Sequence, residues 1–312
     1  MKTSDMRKAY GETLLELGRA NPKVVALEAD LGKSTMSNMF GNEFPERYFQ
    51  MGIAEANMMS AAAGLALTGH VAFASTFAVF ASGRPYDQIR SSIVIPRLNV
   101  KICGSSAGLS DFGDGKTHQS IDDIAIMRVL PNMNVFSPAD AIETAKIVRA
   151  MADIPGPCYI RLNRNNVPEI TDPDALFEPG KAVTMREGRD LVVFATGYMV
   201  YQALVAAQAM ENEGISVRVV NIASIKPFDT KGVQLAAAGM KGAVSIEEAN
   251  IIGGLGSAVC EALCSGPTES RIPVRMMGVM DSFGTSAQKY DELLAHYHLM
   301  PEDIVKQLKE LL

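Results

Sequence analysis

The segment GDGKTHQS places Asp114 and His118 within five residues, on a loop whose Gly113 and Gly115 permit tight backbone geometry. An imidazole titrating near neutral pH can shuttle a proton or hydrogen-bond a hydroxyl. Glu55 is the one acidic residue in a stretch of small and apolar residues running from Ile53 to Leu67. Its carboxylate has two uses there: to complement the dipole at the start of a helix, or to hydrogen-bond a nitrogen heterocycle, since an unpaired buried charge is costly. Phe77 and Phe80 lie three apart in STFAVF, a spacing that serves a core or an aromatic face stacked on a planar ring. Cys260 and Cys264 fall four apart in an expected helix, but no histidine or third cysteine lies nearby. They read as buried thiols, and no metal site is expected.

Helical and strand patterns alternate along the chain with short Gly or Pro punctuation, which predicts an α/β protein of two consecutive domains with mainly parallel sheets. The spacing predicts a helix around Met6–Gly18 with Leu14, Leu15 and Leu17 on one face, a strand at Val24–Ala29, and a helix from Ile53 to Leu67 buried on all sides. Strands are expected at Val71–Ala74 and Val100–Gly104, the latter leading into the glycine-rich loop. In SPADAIETAKIVRAMA, Ser137 reads as a helix N-cap with Pro138 at the first helical position. An extended segment, Cys158–Leu162, follows. Periodicity fades between Val167 and Arg189, placing one domain at residues 1–170, a linker at 171–189 and a second domain at 190–312. The second domain reads as strand Leu191–Ala195, helix Met199–Asn212, strands Val217–Asn221 and Ala243–Glu247, a glycine-rich turn IIGGLGSA opening a helix, and strand Val274–Val279.

The chain has 312 residues, 47% hydrophobic and 21% charged, which is enough for about two folded domains at roughly 150 residues each. The net charge of −6 is shared by both halves, so neither carries a basic field for nucleic acid. The N-terminus lacks a secretory signal, and no apolar run approaches the roughly 20 residues needed to cross a membrane. A cytoplasmic location with no membrane association is expected.

Taken in order, ADLGKS, FQMGIAEANMMSAAAGLALTG, STFAVFASGRPYDQIR, GDGKTHQSIDDIAIMRVLPNMNVFSPAD, IRLNRNN, IEEANIIGGLGSA and MDSFGTSAQ resemble the C-terminal half of the transketolase family. That half is a pyrimidine-binding domain followed by the transketolase C-terminal domain. The run GDGKTHQ with LPNMNVFSPAD is the most specific part, whereas IIGGLGSA is shared with other thiamine diphosphate enzymes. The resemblance implies that Glu55 hydrogen-bonds the aminopyrimidine of thiamine diphosphate and favours its imino tautomer. It further implies that Phe80 stacks on that ring and Phe77 helps to wall the pocket, and that Asp114 and His118 read donor hydroxyls. Ser34, Arg164 and Arg7 match positions that hold a sugar phosphate, a role suited to the planar guanidinium fork.

Two departures stand out. Where conventional transketolases carry a further active-site histidine, eight positions before Asp114, this chain has Ser106. The diphosphate-binding domain with its magnesium motif is also missing from the stretches that match, and GDG is not followed by the required Asn in Ala139–Ala150. The resemblance therefore implies the C-terminal subunit of a split transketolase, pairing with an N-terminal diphosphate-binding subunit that holds most of the Mg2+ contacts. Self-association across a two-fold axis, in a heterotetramer, and sugar phosphate substrates are expected. The rival readings are a deoxyxylulose phosphate synthase-like subunit, a 2-oxo acid dehydrogenase beta-type subunit, or a catalytically inactive regulatory subunit. The retention of Glu55, Asp114, His118 and Arg164 together argues against the last.

Overall fold

A computed structural model describes all 312 residues. Its strands, in chain order, are β1 (Thr3–Asp5), β2 (Val24–Glu28), β3 (Tyr48–Gln50), β4 (Val71–Phe77), β5 (Val100–Ser105), β6 (Asn134–Phe136), β7 (Cys158–Arg161), β8 (Asn166–Pro168), β9 (Val183–Arg186), β10 (Leu191–Ala195), β11 (Val217–Asn221), β12 (Ser224–Lys226), β13 (Gly242–Asn250) and β14 (Val274–Val279). Every residue of β2, β4, β5 and β10 is buried. Burial along the whole strand, rather than at alternate positions, suits parallel strands covered on both faces.

Seven strands form one sheet in the order β12-β6-β7-β5-β4-β2-β3, and five form another in the order β14-β13-β10-β11-β9. Within each sheet the pairs are parallel, except at one edge: β12 runs antiparallel to β6, and β9 antiparallel to β11. The first sheet thus takes its last strand from the second half of the sequence. A two-stranded antiparallel ladder of β1 with β8 ties the N-terminus to residues 166–168. No helix is long and apolar enough to cross a membrane.

Several local expectations need correction. The helix expected to begin at Ser137–Pro138 begins instead at Ala141, because Asp140 caps it through a hydrogen bond accepted from Glu143 N at 2.8 Å. Asp140 also accepts from the Ile170 and Thr171 amides, each at 2.7 Å, so this carboxylate anchors the segment after β8. On the helix Met6–Ala20 only Leu14 of the three expected leucines is fully buried, and Tyr10 fills the core beside it. The helix Glu55–Leu67 is not buried on all sides within the chain: Met58, Met59, Ala62 and Ala63 face the core, while Leu67 and the preceding Ile53 are 72% and 74% exposed. Nor is either cysteine of the Cys260/Cys264 pair the buried thiol expected: Cys260 is half-buried and Cys264 lies at the surface.

Candidate active site

Three elements converge at the carboxyl ends of the parallel strands of the larger sheet, the usual place for ligands in such folds. The helix Glu55–Leu67 presents Glu55 in its first turn. β4 ends on Phe77 and runs directly into the short helix Ala78–Ser82, which carries Phe80. β5 leads through Ser106 to the glycine-rich loop, where a single helical turn, Gly115–Thr117, delivers His118. A cavity of about 380 Å³ is lined by Glu55, Phe80, Arg84, His118, Asp30 and Leu31, among others.

Glu55 is 4% exposed and accepts a hydrogen bond from Arg84 Nη1 at 2.7 Å through Oε1. Its Oε2 makes no hydrogen bond within the chain. Arg84, half-exposed, also lies 4.0 Å from the centroid of the Phe80 ring, a cation–π distance. The His118 ring meets Phe80 edge-on at 5.3 Å between centroids and Phe77 at 6.3 Å. Phe77 and Phe80 stack at 6.1 Å with their planes 17° apart, and Phe77, the more buried of the two, stands behind Phe80. His118 Nδ1 shares a hydrogen bond with Thr117 Oγ1 at 3.0 Å, which leaves Nε2 unengaged.

The expected phosphate-binding residues are distributed differently. Arg164 Nη1 pairs with Asp111 Oδ1 at 2.6 Å and lies 3.6 Å from Asp114 Oδ2, so Arg164 and Asp114 do meet. Asp111, 1% exposed, has its carboxyl pushed up by burial, against the lowering effect of Arg164. Arg7 and Ser34 form a separate pair, Nη1 donating to the Ser34 carbonyl at 3.3 Å, and Asp5 already occupies the fork of Arg7. No hydrogen bond or ion pair joins that pair to the rest. Ser106 is fully buried at φ 56°, its Oγ without a partner, and forms no part of the cavity wall.

Sequence reasoning missed Arg84 and Asp111. Arg84 stands four residues after Phe80, a spacing that lets a long side chain return over the ring in a helical turn. Asp111 had no comparable signal. Also missed was a buried network behind the site: Asp123 accepts from Arg161 Nε at 2.9 Å and from the Tyr159 hydroxyl at 2.7 Å. Next to it, Glu248 accepts from the Leu109 amide and the Tyr290 hydroxyl, each at 2.6 Å, and burial pushes its carboxyl up to about 7. The glycine-rich turn before helix Leu255–Cys264 holds no open anion site. Glu247 takes the amides of Leu255 and Gly256 at 2.7 and 2.8 Å, and a Cβ on Gly254 would sit 2.0 Å from Glu247 Oε2.

Residues 2–169 match the family model described as "Transketolase, pyrimidine binding domain", and residues 180–304 match "Transketolase, C-terminal domain". The chain belongs to the transketolase family. Its two α/β domains with mainly parallel sheets are those of that family. A relative from Methanocaldococcus jannaschii described as a putative transketolase C-terminal section is 44% identical over 307 residues, covering 98% of this chain and 95% of the relative. A 6-deoxy-6-sulfo-D-fructose transketolase subunit from a Clostridium species is 38% identical over 305 residues, covering 98% and 94%. Among solved structures, one described as a split gene transketolase, inactive beta4 tetramer, superposes with a TM-score of 0.89 at 48% identity, covering 98% of both chains. A transketolase-type role is thereby supported for this transketolase-family chain.

The residues present fit one part of thiamine diphosphate. A buried carboxylate with a free oxygen, Glu55, and a phenylalanine lining the same cavity suit an aminopyrimidine. No group of three or more His, Cys, Asp or Glu side chains converges to hold a metal ion.

Proposed function

We propose that this chain is the C-terminal subunit of a two-component, thiamine diphosphate-dependent transketolase that moves a two-carbon glycolaldehyde unit from a ketose donor to an aldose acceptor. The observation carrying this reading is the convergence of Glu55, Phe80 and His118 on one cavity, the carboxylate buried and one of its oxygens unpaired. When bound, the cofactor supplies the nucleophilic carbon and the electron sink. Glu55 would hold the pyrimidine ring through Oε2 and Phe80 would flank it, with Phe77 behind. His118 Nε2 is free to donate to a donor hydroxyl, and Asp114 reads a second one. Arg164 faces the same loop, with its charge offset by Asp111 and Asp114.

A separate subunit would supply the diphosphate and magnesium contacts; the similar proteins described as a transketolase C-terminal section and as a transketolase subunit support the two-component reading. Ile53, 74% exposed in the cavity wall just before the helix Glu55–Leu67, supports a protein partner over the site. In this reading residues 1–170 form the cofactor half-site, residues 171–189 a linker whose β9 adds an edge strand to the second sheet, and residues 190–312 the supporting domain.

The test is to co-express the chain with the gene product encoded beside it, add thiamine diphosphate and magnesium, and measure glycolaldehyde transfer from a panel of ketose phosphates, with pyruvate as a control. Transfer that requires both chains is expected. Pyruvate consumption would instead favour a synthase-like reaction, and full activity of this chain alone would overturn the two-component reading.

A further inference from the structure

The MDSFGTSAQ segment lies in the second domain, more than 160 residues from the loop bearing Asp114 and His118, yet the two are fastened together. Gln119, next to His118 and 3% exposed, donates through Nε2 both to the Asp111 carbonyl at 3.2 Å and to the Thr285 carbonyl at 2.9 Å. The Ala287 amide donates to the Phe112 carbonyl at 2.8 Å. The contact is tight on both sides, and at Gly115 a positive φ of 73° also favours glycine. A Cβ on Gly284 would lie 1.6 Å from Gln119 Oε1, and a Cβ on Gly115 would lie 2.3 Å from Ser286 Oγ. The loop is thus fastened at Phe112 and at Gln119, with Asp114 between the two fastenings.

We propose that residues 284–287 are a clamp that positions the Asp114–His118 loop, so that the C-terminal domain sets donor affinity without touching donor or cofactor. This rests on the reading of Asp114 and His118 as donor-binding groups. The loop needs such support because it is rich in glycine and its exposed residues Gly113, Asp114, Lys116 and Thr117 gain little from burial. Gln119 and Gly284 are positioning residues. Their effect reaches the donor only through the placement of His118 and Asp114, and displacements near 1 Å in such groups cost on the order of 100-fold in rate.

The clamp is tested in the assembled complex with Gln119→Ala, Gly284→Ala and the double variant. The readouts are donor KM and kcat, thiamine diphosphate affinity, and amide hydrogen exchange across residues 110–119. Gly284 has no positive φ, so alanine there acts through its collision with Gln119. In the Gln119→Ala background the nearest remaining atom of residue 119 would be its Cβ, at 3.3 Å. Both single variants are therefore expected to raise donor KM about tenfold and to speed exchange in 110–119, with cofactor affinity unchanged. The double variant should be no worse than Gln119→Ala, because the collision is lost with the Gln119 side chain; unchanged cofactor affinity is what separates a displaced loop from mere loss of stability.

Unchanged donor KM in both single variants, additive effects in the double, or a raised KM without faster loop exchange each overturns the clamp. Should Gly284→Ala fail to fold, Gln119→Ala, which only removes atoms, decides between the same outcomes through KM and exchange. His118→Ala is the control for the underlying reading. If it raises donor KM while neither clamp variant does, the clamp alone fails. If it leaves donor KM unchanged, the reading of the loop fails and takes the proposal with it.

Discussion

Glu55 and Glu247 invite comparison: each is a buried glutamate whose carboxylate lies at a helix N-terminus, Glu55 as the first residue of its own helix and Glu247 reaching from β13 to helix Leu255–Cys264, one in each domain, 4% and 1% exposed. Their surroundings differ in one respect. Glu247 spends both oxygens on the chain, taking the Leu255 and Gly256 amides, and so fills the anion site that its own glycine-rich turn would otherwise offer. Glu55 spends one oxygen on a half-exposed arginine and keeps the other on a cavity. A carboxylate fully engaged by backbone amides holds a fold together. One held by a single movable side chain beside a cavity is available for a ligand. Helix position and burial alone do not separate the two cases, whereas the count of satisfied oxygens does.

The sharpest way to break that contrast is Glu55→Gln. In the proposed reaction this substitution is expected to lower kcat of the assembled complex by about 10²–10⁴, the range for losing a group that moves or holds a proton in the rate-determining event. Stability should barely move, because the ion pair lost is with an Arg84 that is about half exposed, and such pairs contribute roughly 0–1 kcal/mol. Steady-state transfer assays and a thermal melt of the same preparation check both halves. A large fall in melting temperature with retained turnover would place Glu55 with Glu247 and remove the contrast.

A second test extends the comparison to charge buried on both sides. Arg161 is 5% exposed and its partner Asp123 fully buried. Asp123→Ala leaves the guanidinium in the interior with backbone carbonyls alone. The expected loss is about 3–5 kcal/mol, read as a shift in urea midpoint. Donor KM should hold in whatever fraction remains folded.

The strands were legible because parallel β-strands write themselves as apolar runs, and β2, β4, β5 and β10 lie where those runs predict. Edges were harder to read. β9 and β12 are short and partly polar, and β12 joins the sheet of the other domain, a pairing that local pattern does not encode. The N-cap was misplaced because Ser137 and Pro138 form a plausible start, while Asp140 wins by also binding Ile170 and Thr171, residues 30 and 31 positions away. At the site, Glu55, Phe80 and His118 stood out as isolated chemistry in small-residue surroundings, and the fold brings them to one cavity. Asp111 and Glu248 did not stand out. Their meaning lies in partners 53 and 139 residues away, Arg164 and the Leu109 amide.

The smallest expected effect belongs to Glu247→Gln, and its pH dependence makes it informative. Burial pushes the Glu247 carboxyl up to about 7 despite the two amides that favour its ionised form. In the unfolded chain it titrates near the ordinary glutamate value of about 4.3. Between those values the folded state binds more proton than the unfolded state, so the contribution of this group to stability is full below the lower value. It declines as pH rises toward 7 and is level above it. Glutamine keeps one acceptor and loses the titration. The variant should be less stable than the parent by roughly 1 kcal/mol near pH 5, through the weakened cap. That deficit is expected to shrink or reverse by pH 8, where the parent must hold a buried charge. Melting temperatures of both proteins from pH 5 to 8 check this, and subtracting one curve from the other cancels the parallel titrations of Glu143 and Glu248, which are also pushed up to about 7. Two curves that stay parallel across that range would show that the Glu247 carboxyl is already ionised at pH 5, held so by its backbone amides.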